Sequence, residues 1–271
     1  MKISILACGW LGQPLALQLQ NAGHKVMATC RSATKQQALL ECGIHTELYS
    51  LGDSLQSESL HNVLQCEVLI LNIPPGGRQI QADFYRQQMC NLVAQAKHSG
   101  TQRLLFISTT GVYGEVNGDV SEQSQCLGTT PSSLAHQQIE QQVQAVFAND
   151  AAILRLAGLV GQQRHPARHL AGRTALSEPL HVVNLIHQYD VIQAIQAILG
   201  LPQLGQIFHL AAHEHPTRET YYQWACKKLA LPAPSFEHQP GDGSGKQINA
   251  SWTCDTLGLT LRYPSPYDML K

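Results

Sequence analysis

Short apolar runs alternating with amphipathic helical patterns constrain this chain more than any other feature. Lys2–Leu6 reads as a buried strand, followed by a glycine turn and a helix with Leu11, Leu15, Leu19 and Ala22 on its apolar face. Gly23-His24 ends that helix, and Lys25–Cys30 gives a second strand. A helix near Ala33–Glu41, a weak strand at His45–Tyr49 and a strong strand at Val68–Ile73 come next, the last stopped by Pro74-Pro75-Gly76-Gly77. Ile80, Phe84, Leu92, Val93 and Ala96 mark one stripe of the next helix, and Arg103–Ser108 is the fifth strand. Strands alternating with helices imply βαβ units. Right-handed crossovers then leave an α/β fold with a doubly wound parallel sheet and helices on both faces.

The turn after the first strand reads Ala7-Cys8-Gly9-Trp10-Leu11-Gly12. This is the dinucleotide fingerprint in its strand–turn–helix context, with Ala7 where the first glycine belongs. Gly9 lets the backbone approach a pyrophosphate, and Gly12 lets helix and strand pack closely. The phosphates would rest on the helix N-terminal amides of Trp10, Leu11 and Gly12 and on the positive end of the helix dipole. The second strand ends Thr29-Cys30-Arg31-Ser32. It carries no carboxylate to accept from a ribose 2′-hydroxyl, as an NAD site would. A guanidinium and a hydroxyl suit a 2′-phosphate, so Arg31 and Ser32 point to NADP rather than NAD.

After Gly114 the pattern loosens. Glu115–Pro131 is polar, then Leu134, Ala135, Ile139, Val143 and Val146 trace a helix with glutamines opposite. Ala151–Leu156 is a sixth strand, followed by a helix at Asp190–Leu199, a strand at Gln206–Ala211, a helix at Thr217–Leu229 and a loop from Pro232 to Gly245. At 271 residues the chain is shorter than two domains of about 150. The division is an NAD(P)-binding domain over 1–156 and a smaller, partly interleaved C-terminal substrate lobe over 157–271.

Ser108-Thr109-Thr110-Gly111-Val112-Tyr113-Gly114 closes the fifth strand, and Asn184-Leu185-Ile186-His187-Gln188-Tyr189-Asp190 leads into a later helix. With Leu154-Arg155, Gly158 and Gly161, these segments resemble the extended short-chain dehydrogenase/reductase superfamily, the NAD(P)-dependent epimerase/dehydratase group. With Asn72-Ile73-Pro74-Pro75 after the fourth strand, the chain is similar to its YeeZ-like atypical subgroup. The resemblance covers nearly the whole chain. It implies a Rossmann fold with the cofactor across the strand ends, Asn72, Ile73, Pro74 and Ser108 joining the cofactor site, and a small-molecule substrate. The apolar stripes of the Ile80–Ala96 and Leu134–Phe147 helices fit either a homodimer, as in many relatives, or packing on their own sheet.

The resemblance also implies a strand-five hydroxyl acting with a Tyr-x-x-x-Lys pair on the next helix. Counting back from Tyr113 puts the hydroxyl on Thr109, beside Ser108. No Tyr or Lys occurs from Gly128 to Phe147. Anchored on Glu140, the two positions fall on Ser132 and His136, which makes His136 the candidate proton donor and leaves the usual mechanism without its acid. An oxidoreductase-like enzyme acting on a small polar metabolite, and a non-catalytic nucleotide sensor or scaffold, both remain open.

Composition removes other classes. Lys plus Arg is 18 against 19 for Asp plus Glu, so no basic field favours nucleic acid or an anionic membrane. The eight cysteines lack metal-knuckle or CxxC spacing and read as reduced core residues of a cytoplasmic protein. No metal site is expected. In a strand, His209 and His213 lie about 13 Å apart, too far to share an ion. Arg164, His165, Arg168, His169 and Arg173 form either a solvated loop or a face toward an anionic substrate group. Tyr221, Tyr222 and Trp224 read as packing residues.

Overall fold

The computed structural model describes residues 1–76, 81–237 and 243–270. In chain order its first elements are β1 (Lys2–Leu6), α1 (Gly12–Asn21), β2 (Lys25–Cys30), α2 (Ala33–Glu41), β3 (His45–Leu48), α3 (Glu58–Leu64), β4 (Val68–Leu71) and α4 (Ala82–His98). There follow β5 (Arg103–Thr109), β6 (Gly118–Val120), α5 (Pro131–Phe147), β7 (Ala151–Leu156), β8 (Gly158–Val160) and α6 (Ala167–Leu170). The chain closes with β9 (Leu185–His187), α7 (Gln188–Gly200), β10 (Ile207–Leu210), α8 (Arg218–Lys228), β11 (Lys246–Ile248) and α9 (Ser251–Leu257).

Seven strands form one sheet in the order β10-β7-β5-β4-β1-β2-β3. β1 pairs in parallel with β2 on one side and β4 on the other. The chain therefore winds outward from β1 in one direction, then returns to wind in the other. The reversal between β1 and β4 opens a crevice at their carboxyl ends, where ligands of open α/β sheets bind. This is the doubly wound α/β architecture that the alternating pattern implies.

The chain folds as two compact units: residues 1–112, 129–154 and 198–207 make the first, and residues 113–128, 155–197 and 208–271 the second. In the first, Leu69, Leu71, Leu104 and Phe106 of the sheet pack with Met89, Leu92 and Val93 of α4 and Ile139, Val143 and Phe147 of α5. In the second, Val160, Leu185, Tyr221, Cys226 and Phe236 build a separate core.

Several local expectations differ from the structure. β4 ends at Leu71, two residues early. Phe84 and Leu134 are 46% and 45% exposed. Tyr85 and Met89 take the inward face of α4, while the Phe84 ring lies over Gly52, 2.9 Å from where a Cβ would stand. Gly77, Ile80 and residues 238–242 lie outside the described residues. Elements of three to seven residues, such as α3, β6 and β11, are too short for periodicity to reveal. Cys8, Cys30, Cys66, Cys226 and Cys254 are buried, but Cys42 is exposed at the end of α2. Among the described residues no helix is long and apolar enough to cross a membrane.

Candidate functional site

The glycine turn is assembled by three strands of the first unit. Ala7 adopts φ +70°, the left-handed conformation that the fingerprint normally assigns to glycine. Its amide donates to Thr29 Oγ1 at 3.1 Å, and its carbonyl accepts from Gly9 N at 2.8 Å and from Asn72 Nδ2 at 3.2 Å. Asn72 thus acts on the turn through its side chain. A Cβ at Gly12 would stand 2.9 Å from Ala7 O and 3.4 Å from Ile5 Cγ2, so glycine is what lets α1 start against β1. Around Gly9 a Cβ would meet nothing within 4 Å, leaving its backbone open to a ligand. The first amides of α1 have no acceptor inside the helix. Gln13 N donates to Gly9 O at 3.0 Å, Leu15 N donates to Leu11 O at 3.3 Å and Pro14 has no N–H, so the open backbone at Gly9, the amides of Leu11 and Gly12 and the close packing at Gly12 are what fit a dinucleotide pyrophosphate.

Beside the turn, Arg31 and Ser32 are exposed at the end of β2. Ser32 caps α2, its Oγ accepting from Lys35 N at 3.3 Å, which leaves the hydroxyl proton free to donate. Lys35, which belongs to none of the sequence motifs, reaches back to α1: Nζ donates to Gln13 Oε1 at 2.6 Å. Its charge is felt at Cys8, where burial nonetheless pushes the thiol up to about 12. The sequence signal for Lys35 is a cation in the first helical turn after Arg31. Among the described residues, two cations and one capping hydroxyl therefore cluster at the start of α2, beside the turn.

On the other side of β1, Tyr85 of α4 donates from its hydroxyl to Ile73 O at 2.9 Å, holding the segment Asn72-Ile73-Pro74 that follows β4. The Tyr85 ring lies 5.6 Å from that of His136, and Phe106 of β5 stacks on the same imidazole at 6.0 Å. His136 is buried. Its Nδ1 lies 2.8 Å from Ser132 O, a carbonyl that can only accept, so Nδ1 carries the proton. Burial holds this imidazole below the ordinary histidine range, opposed by the bond to Ser132 and the nearby Glu140 charge. A neutral ring with its proton on Nδ1 has none to give from Nε2. The donor role expected of His136 thus departs from the geometry, since a tautomer is set by a partner rather than by residue type.

The hydroxyls at the end of β5 also separate. Ser108 is buried and donates to Glu140 Oε1 at 2.5 Å. Thr109 is half-buried, and its Oγ1 accepts from Gly111 N at 3.1 Å, leaving its proton available. Ser133 Oγ donates to Gly111 O at 3.1 Å, tying the first turn of α5 to this strand end.

The second unit holds its own buried polar groups. Tyr113 and His209 pair at 2.9 Å, with His209 Nε2 on Asn249 O at 2.8 Å. His165, expected in the basic loop, is instead buried, 2.9 Å from Tyr221; Arg164, Arg168, His169 and Arg173 are exposed. Among the described residues no three His, Cys, Asp or Glu side chains gather as metal ligands.

Comparison with known proteins places this geometry. A family model described as NAD(P)H-binding matches residues 7–199. Protein YeeZ of Escherichia coli K12 is 34% identical over 270 residues, covering 99% of this chain and 98% of the relative. The UDP-glucuronic acid 4-epimerase of Bacillus cereus, solved in complex with NAD, superposes with a TM-score of 0.80 at 19% identity, covering 100% of this chain and 94% of that one. A functionally unknown conserved protein from Silicibacter pomeroyi gives 0.76 at 22% identity, covering 99% and 96%. At these identities the solved structures show a shared fold.

Proposed function

The chain belongs to the NAD(P)H-binding family, among the atypical short-chain dehydrogenase/reductases of the epimerase/dehydratase group, and we propose that it is an NADP-dependent oxidoreductase acting on a small polar metabolite. The observation that carries the cofactor choice is the set Arg31, Ser32 and Lys35 at the start of α2, where an NAD site would present a carboxylate. A guanidinium offers paired donors to a phosphate, and an ammonium adds a fixed point charge.

A bound nicotinamide dinucleotide supplies hydride transfer. The chain's own residues do the rest. Gly9 and the amides of Leu11 and Gly12 hold the diphosphate; Asn72 braces the turn. Thr109, with its hydroxyl proton free, hydrogen-bonds the reacting oxygen. Ser108 is spent on Glu140 and serves as support. The reading of a sensor that binds nucleotide without turnover draws on Ser132 and His136, which stand at the positions of the usual tyrosine and lysine and bond to each other.

The test is a melting-temperature series with NADPH and NADH, followed by coenzyme turnover against a panel of alcohols and carbonyls. Stabilisation by NADPH above NADH, with turnover, is the expected result. Stabilisation without turnover would favour the sensor, and stabilisation by neither would end the dinucleotide reading.

A further inference from the structure

Gln13 follows Gly12 in the first turn of α1 and is fastened at three points. Its amide donates to Gly9 O at 3.0 Å, which ties it to the glycine turn. Its side-chain oxygen accepts from Lys35 Nζ at 2.6 Å, and its Nε2 donates to Cys42 Sγ at 3.8 Å. An ammonium has protons only to give, so the carboxamide oxygen must face Lys35 and the NH2 group must turn to Cys42, beyond the end of α2. The charge of Lys35 is felt at Cys8, a separate sign that the ammonium lies beside the glycine turn. What holds it is a neutral group: among the described residues no carboxylate pairs with Lys35. An amide orients an ammonium and leaves its charge whole, whereas a carboxylate would orient it and cancel it. Ordering a lysine side chain also costs rotamer freedom, and here the fold meets that cost before any ligand arrives.

We propose that Gln13 is a positioning residue that sets coenzyme choice: its amide presents the Lys35 ammonium, oriented and uncancelled, to the 2′-phosphate of NADP. The assignment deepens the NADP reading above and rests on it. Gln13 need not touch the coenzyme, since it acts through Lys35. Its side-chain bonds include neither Arg31 nor Ser32, so a change at residue 13 acts on Lys35 and leaves those two in place. Glutamate is the isosteric counter-case, with the same reach and the same bond but no net charge left on the pair.

The experiment titrates NADPH, NADH, adenosine 2′,5′-bisphosphate and 5′-AMP into the full chain by calorimetry. The parent should prefer the member of each pair that carries the 2′-phosphate. Gln13→Glu should cut that preference about tenfold in both pairs. The coenzyme-free Gln13→Glu protein should nonetheless melt at or above the parent's temperature, because the bond becomes an ion pair. Specificity lost without stability is a result that a purely structural role would not give. Gln13→Leu should cut the preference about three- to tenfold, since the coenzyme must then order Lys35 itself. In a Lys35→Gln background, Gln13→Glu should change the preference by no more than about twofold. A preference that survives Gln13→Glu, one that falls equally with and without Lys35, or one lost together with melting temperature would overturn the inference. A parent that shows no preference for the 2′-phosphate would strike the NADP reading itself, and that result is read before any variant is made.

Discussion

Ser108 of β5 donates its hydroxyl proton to Glu140 of α5 across 2.5 Å, and both side chains are buried. The bond joins a strand end to a helix 32 residues away in sequence. A buried carboxylate that loses a donor costs more than an ordinary hydrogen bond, because its desolvation is then less compensated. Ser108→Ala is therefore expected to lower unfolding free energy by about 1–3 kcal/mol. Urea unfolding of Ser108→Ala, Glu140→Gln and the double variant checks it. Costs that simply add would show that the two residues are not coupled.

Ala7 holds a left-handed conformation, φ +70°, that costs an L-residue roughly 1–2 kcal/mol. Ala7→Gly is expected to leave stability unchanged or raise it by up to about 1 kcal/mol, the relief being partly offset by the flexibility glycine adds to the unfolded chain. Gly12→Ala should do the opposite, since its Cβ would stand 2.9 Å from Ala7 O. Thermal melts should place Gly12→Ala below the parent and Ala7→Gly at or above it. A Gly12→Ala protein that melts and binds NADPH like the parent would contradict the packing argument.

Arg31 is exposed at the end of β2, beside the capping Ser32 and near Lys35. Arg31→Asp should weaken NADPH binding about tenfold or more while sparing NADH, because it removes a phosphate partner and supplies an acceptor for a ribose hydroxyl. Lys35→Gln should reduce NADPH binding in the same direction. Calorimetric titration of both coenzymes measures the ratio. A variant at Arg31 that keeps its preference for the phosphorylated coenzyme would refute the assignment.

Burial, with the Arg168 charge in support, pushes His165 down to about 4, against about 6.5 for an unperturbed histidine. Between those values the unfolded chain binds more protons than the native one, so stability rises with pH across the window. The contribution is complete above about pH 6.5 and is lost as pH falls toward 4; it amounts to about 3 kcal/mol at most. Burial lowers His136, His187, His209 and His215 in the same direction, so the diagnostic quantity is a difference. Unfolding free energies of His165→Gln should fall less steeply than the parent's from pH 7 to 5. Parallel profiles would place His165 outside the acid response.

The glycine turn is legible in the sequence because its requirements are local: a strand period of two, a helix period of 3.6, and a residue without a Cβ at the crossing point. Arg31 is legible for the same reason, as the residue type that ends β2. Lys35 is within reach of sequence, but its bond to Gln13 spans 22 residues, and no spacing rule connects them. Periodicity puts the aromatic of the α4 stripe one residue off, on Phe84 instead of Tyr85. A single step along a helix changes facing by about 100°, and Gly52 offers the Phe84 ring a seat on the outside.

Sequence by itself determined the order of the longer strands and helices, the parallel doubly wound sheet and the residues that open the phosphate turn, because backbone sterics and hydrophobic periodicity act over a few neighbouring residues. Tertiary structure alone decided what the polar groups can do. It placed the Asn72 amide on Ala7 O, set Glu140 against Ser108 and left Thr109 with a free proton. Residue type gives His136 two nitrogens of equal standing; a carbonyl one helical turn away and two aromatic rings from other elements decide which of them is bare.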